Sequence, residues 1–143
     1  MKRTPHHRVW AGLLPLAAEL SRRGYDAAIT LGNTPSLDLI CSSPSGTPFT
    51  IQVKSLSTKN WVLIQKAMLE AEPKLNLLLA VVLVPTDAER PFQFHILTHR
   101  EACEAYAKQG HSNRNGEPYK PGMEGLGWRE VSQHLARWDK LPA

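Results

Sequence analysis

Cysteine is nearly absent from this chain, with two thiols, Cys41 and Cys103, in 143 residues. Two thiols make no disulfide framework and have no metal-ligand spacing, so they are expected to be buried or idle, in a cytoplasmic protein. Long hydrophobic runs are also lacking. The longest, Leu75 to Pro85, is broken by Asn76 and falls well short of the roughly 20 apolar residues that a bilayer-spanning helix needs. It reads as a buried strand, and no membrane partner is expected. The basic start Met1-Lys2-Arg3 is followed by no apolar segment, so no secretory signal is expected. A Gly-rich phosphate loop, a Ser-centred elbow and a Cys/His pairing are missing as well, and none of the histidines has zinc-ligand spacing. An excess of one charge is small: 17 Lys and Arg against 13 Asp and Glu, or +4. That balance is compatible with a polyanionic partner but does not identify one.

What is present fits one α/β domain. Residues 1–9 are basic and polar and are expected to form a flexible arm, with a single domain over 10–143. Leu13, Leu14, Leu16, Ala17 and Leu20 recur at helical spacing, which predicts a first helix ending at Gly24. Pro15 is tolerable there if it falls within the first turn. Three short strands follow, at about 26–31, 37–41 and 49–55, separated by Gly/Pro/Asn/Ser turns around 32–35 and 42–48. Residues 61–71 hold a short strand and a helical turn, Leu75–Val84 a central strand and Phe92–Leu97 another. Thr98 with Glu101 three residues on is a capping box for a helix to about Gln109. Residues 110–127 form a long loop, and Trp128, Val131, Leu135 and Trp138 share one face of a closing helix. The order suggests a sandwich with a mixed central β-sheet flanked by helices.

The chemistry is concentrated in two segments, Pro35-Ser36-Leu37-Asp38-Leu39-Ile40 and Phe49-Thr50-Ile51-Gln52-Val53-Lys54. The second alternates strictly, so Gln52 and Lys54 share a strand face, and Asp38 can reach the same place across the hairpin. Mg²⁺ takes oxygen ligands and keeps several waters, so one or two such side chains with a substrate phosphate can hold it. A lysine alongside can orient the attacking water and offset developing charge. Taken singly, Thr50, Gln52 and Lys54 also read as the water-facing side of an ordinary strand, and Asp38 as an acid flanking a turn.

Helix, Arg22-Arg23-Gly24-Tyr25, a short strand, Pro35-x-x-Asp38-Leu39-Ile40 and Ile51-Gln52-Val53-Lys54 together resemble the PD-(D/E)XK nuclease superfamily, in particular its restriction-endonuclease-like and Holliday-junction-resolvase-like members. The likeness runs from about Leu13 to Ser57. It implies a restriction-endonuclease-like fold and a metal-dependent DNA endonuclease hydrolysing phosphodiester bonds. Asp38 would be the principal metal ligand, Gln52 the second, with the Val53 carbonyl beside them, and Lys54 the signature lysine. Weakly held Mg²⁺ or Mn²⁺, DNA as partner and a two-fold homodimer are implied in the same way. Two positions depart from the pattern. Gln52 stands where a carboxylate is usual, and Leu13 stands where related proteins often carry a Glu; Glu19, the only acid on that helix, is expected to face solvent. The departures leave a second reading: a weak or inactive nuclease fold that binds DNA or, as an immunity or inhibitor protein does, a partner protein. Ser55, Ser57 and Lys59 after the signature lysine, and Arg114 and Lys120 in the long loop, are candidate phosphate contacts. A polar strand end accounts equally well for Ser55, Ser57 and Lys59, and a solvated loop accounts better for Arg114 and Lys120.

Overall fold

A computed structural model describes residues 2–30, 38–112 and 115–143. The turn around Gly32–Pro35, the end of the first predicted strand at Leu31 and the candidate contact Arg114 lie outside the described residues.

Helix α1 spans Pro5–Arg22. It begins earlier than the sequence suggests, so residues 5–9 are helix rather than a flexible arm. The cause is local: the Thr4 side chain accepts from the His7 amide and the His7 ring accepts from the Thr4 amide, a reciprocal cap with Pro5 just inside the helix. Arg3 anchors the preceding residues by donating to the Pro85 carbonyl at 2.6 Å. With the earlier start, Pro15 lies in the helix interior, not in its first turn, and cannot donate to the Ala11 carbonyl. The helix ends where Gly24 takes φ +85°, with Tyr25 N–H donating to Leu20 O and Gly24 N–H to Ser21 O. That closure needs a left-handed residue, hence the glycine.

The strands are β1 (Asp26–Ile29), β2 (Asp38–Ser42), β3 (Pro48–Leu56), β4 (Val62–Leu63), β5 (Leu77–Leu83), β6 (Gln93–Thr98) and β7 (Gly125–Leu126). Five of them form a mixed sheet in the order β1-β2-β3-β5-β6, with β3 and β5 parallel and the other pairs antiparallel. The central strand is therefore β3, and β5, the most apolar strand, is its neighbour. The short helix α2 (Lys66–Leu69) lies between β4 and β5 and α3 (His99–Lys108) follows β6, capped by Thr98 and Glu101 as the sequence predicts. A separate ribbon pairs β4 with β7.

Both faces of the sheet are covered. On one, Leu13, Leu16 and Leu20 of α1 pack against Leu39, Phe49, Ile51, Leu78, Ala80 and Val82. On the other, Leu79, Val81 and Leu97 meet Leu69 of α2, Ala102 and Tyr106 of α3, and Val62 and Leu126 of the ribbon. The closing helix is broken. Residues Trp128–Val131 form α4, a 3₁₀ turn covers Ser132–His134, and a second covers Trp138–Lys140. Leu135 does not join the apolar face; it is 49% exposed and bridges His95, while Ala136, at φ 53°, donates to Phe94 O. The free edge of β6 takes up the backbone groups that a longer helix would have used internally.

Candidate active site

Asp38, Gln52 and Lys54 point from the sheet onto the face shared with α2, α3 and the ribbon. The register shows it: Asp38 pairs with Gln52, Gln52 with Leu79 and Lys54 with Val81, and Leu79 and Val81 belong to that face's core. Asp38 O accepts from the Thr30 amide on the β1 side, so its main-chain groups face away from β3. Asp38 and Gln52 thus form a narrow, non-hydrogen-bonded cross-strand pair, with Cα atoms about 4.5 Å apart and side chains close together. The face is not open water: Gln52 is only 8% exposed and Lys54 is half-buried. An ordinary solvated strand face is thereby excluded.

The direction of the Val53 carbonyl follows from alternation. Thr50 N–H donates to Asn76 O, and Leu56 O accepts from Val84 N–H, so even-numbered residues of β3 turn their main-chain groups toward β5. Odd-numbered residues, Val53 among them, turn theirs toward the β2 side, where Asp38 stands at the end of the strand.

Asp38 and Gln52 line a cleft of about 280 Å³ with Met68, Lys74, Leu77 and His99. Lys54 opens into an adjoining cleft of about 280 Å³ with Leu63, Gln65, Lys66 and Glu124. Helix α2 stands between them, Lys66 lining one and Met68 the other. Its position is fixed by His99, whose Nδ1 accepts from the Lys74 amide at 2.9 Å while Nε2 donates to Met68 O at 2.7 Å. That histidine is spent on scaffolding rather than proton transfer.

Burial raises the Asp38 carboxyl above its ordinary range, against the opposing pull of Lys54. Burial also lowers the Lys54 ammonium, against the pull of Asp38. The two charges feel each other across the wall between the clefts. Asp38 Oδ1 is buried with no hydrogen-bond partner among the described residues, and Gln52 Oε1 is likewise shielded from solvent. A buried carboxylate oxygen without a donor is costly unless a cation completes it. An Asp38 carboxylate and Gln52 amide oxygen, joined by the Val53 carbonyl on the β2 side, would make an all-oxygen donor set, which suits Mg²⁺ or Mn²⁺ rather than a softer metal. Among the described residues no three His, Cys, Asp or Glu side chains converge. Water and substrate phosphate would have to complete the shell.

The remaining candidates scatter. Ser55 turns to the α1 face, its hydroxyl 3.5 Å from Val9 O and under Gly12, where a Cβ would stand 2.0 Å from it. Ser57 and Lys59 line a separate hollow of about 640 Å³ with Arg90 and Asp87, beyond the end of β3. Lys120 is exposed beside Tyr119. Leu13 is fully buried in the α1 core, so a carboxylate at that position would enter the core rather than the cleft. Glu19 pairs with Arg23 at 3.0 Å. Sequence reasoning missed Glu124, Lys66 and Lys74, which line the two clefts. Two-residue strands such as β7 have no periodicity to read, and only Gly125 hinted at a close approach.

Compared with protein-family models, with curated proteins and with solved structures, the chain matches none.

Proposed function

We propose that the chain is a metal-dependent phosphodiesterase acting on DNA, of the PD-(D/E)XK type with Gln52 in the second ligand position. The observation that carries this reading is the narrow Asp38–Gln52 pair with Lys54 two residues along the same covered face, each half or more removed from water. Asp38, Gln52 and the Val53 carbonyl would hold the metal. When bound, Mg²⁺ supplies charge against the phosphate and acidifies a water. Lys54, two residues along the same strand face from Gln52, would orient the attacking water and screen the non-bridging oxygens where a substrate spans the two clefts. In the reaction the water oxygen bonds to phosphorus as one bridging P–O bond breaks, and the leaving oxygen is protonated. The single carboxylate of the set makes for loose metal binding, with affinity completed by the phosphate.

One observation favours the second reading, a nuclease fold that grips DNA or a protein without cutting. Leu13 is packed in the core, so α1 adds no acid to the cleft.

The test is cleavage of plasmid, single-stranded and branched DNA in Mg²⁺ and Mn²⁺. Asp38→Asn and Lys54→Met are each expected to slow cleavage by about 100-fold or more. Undiminished cutting by both variants would sink the enzymatic reading. Salt-sensitive DNA binding with no cutting in either metal would favour the second.

A further inference from the structure

The outer face of the β4–β7 ribbon carries aromatic and aliphatic side chains. Within β4, Val62 is buried and Leu63 is exposed, so alternation puts Trp61 on the Leu63 side, away from the core. Leu63 pairs with Gly125, where a Cβ would stand 2.9 Å from Trp61 Nε1 and 1.9 Å from Val62 O. The indole lies across bare backbone that only glycine provides. Its N–H donates to Met123 O at 2.9 Å, which uses the ring's only donor and fixes its plane. Tyr119 packs on it with ring centroids 5.0 Å apart and planes 39° apart. Beside the pair, Leu63 is 48% and Met123 47% exposed. The result is a rigid aromatic shelf, a stack with Trp61 held between the Gly125 backbone and Tyr119, both rings partly exposed and flanked by exposed Leu63 and Met123.

The shelf adjoins cationic groups. Leu63 is also a wall of the cleft that holds Lys54 and Lys66, with Glu124 as the opposing carboxylate. The Glu124 carboxylate accepts from the Gly122 amide at 2.9 Å, which satisfies part of its charge locally. Lys120 follows Tyr119 directly in the chain. Ammonium groups beside a π surface match a nucleotide, which offers a flat base and an anionic phosphate. Bases inside a duplex offer no such face, because each is already stacked.

We infer that this shelf stacks an unpaired base, so that the ligand of the ribbon is single-stranded nucleic acid, laid with its phosphates toward the Lys54 cleft. The inference rests on the phosphodiesterase reading for its orientation, but its test does not require catalysis. Binding is read by fluorescence anisotropy in EDTA, with a labelled oligothymidylate of about 15 nucleotides and a blunt duplex of the same length. The single strand is expected to bind more tightly than the duplex. Trp61→Ala is expected to weaken the single strand about tenfold and leave the duplex unchanged. Trp61→Phe should retain most of the affinity. Leu63→Ser, at an exposed position that the fold does not need, should weaken the single strand several-fold and guards against misfolding of the alanine variant. Equal affinity for both oligonucleotides, binding of neither, or single-strand affinity unchanged in both Trp61→Ala and Leu63→Ser would overturn the proposal, the second outcome leaving the shelf to a protein partner. Asp38→Asn is expected to keep the strand preference in EDTA. A protein that prefers the single strand yet never cuts upholds the shelf and defeats the nuclease. One that cuts without the preference does the reverse.

Discussion

Two polar clusters sit partly inside this molecule, and they are treated in opposite ways. Around Lys140, whose side chain is 8% exposed, every ammonium hydrogen has an acceptor: Ile96 O at 2.9 Å, Glu101 Oε2 at 2.9 Å and His134 Nδ1 at 2.6 Å. Glu101 accepts in turn from the Thr98 amide at 2.9 Å, closing the helix cap. Around Asp38 and Lys54 the charges are also drawn out of water, but among the described residues no ion pair joins them and Asp38 Oδ1 has no donor. The first cluster resembles a structural joint, tying α3, β6 and the chain's last turn together. The second holds charge at a cost in stability, as sites that await a ligand do. The contrast separates polar groups that the fold needs from polar groups that the fold tolerates.

Substitution should expose the difference, and the largest effect belongs to the joint. Lys140→Met leaves the Ile96 carbonyl and Glu101 without their partner and is expected to lower unfolding free energy by about 3 kcal/mol. Lys54→Met removes a partly desolvated charge from a cleft that it shares with Leu63, Ile64, Gln65, Lys66 and Glu124, and is expected to raise stability by up to about 1 kcal/mol. Urea unfolding of the two variants beside the wild type checks both. The comparison breaks if Lys54→Met loses as much as Lys140→Met.

Much of the fold was legible because the chain punctuates itself. Gly24 closes α1, Thr98 and Glu101 open α3, and the alternation of β3 alone places Gln52 and Lys54 on one face. The first turns of α1, over residues 5–9, are not legible because their signal is a cap made by His7, a residue that reads as tail without its ring on the Thr4 amide. The closing helix was over-extended because Leu135 fits the helical face by spacing, and only the open edge of β6 decides otherwise. Asp38, Gln52 and Lys54 could be found locally, since a hairpin brings them together. Glu124, Lys66 and Lys74 could not, because they reach the clefts through a ribbon and a one-turn helix whose placement depends on tertiary contacts. His99 illustrates the same limit: nothing in its sequence surroundings shows that it holds α2 against the site.

The smallest expected effects are in pH, and there the two clusters should slope in opposite directions. Burial raises Asp38, so the folded protein holds that proton more tightly than the unfolded chain. Its contribution is favourable below the ordinary value of 3.8 and is lost as pH rises through the folded value. For Glu101, burial pushes the carboxyl up, but the Thr98 hydrogen bonds and Lys140 outweigh it and hold it below its ordinary value. Its contribution is therefore present above 4.5 and is lost as pH falls through the lowered folded value. Asp38→Asn should gain nothing over wild type in strong acid and should gain increasingly as pH rises above the ordinary carboxyl value. Glu101→Gln should be least stable relative to wild type near neutrality and should converge on it as the solution is acidified. Thermal unfolding of the three proteins from pH 3 to pH 7, at constant ionic strength, reads both slopes in one series. Parallel curves for the two variants would show that Asp38 is paired as completely as Glu101, and would remove the reason for placing a cation beside it.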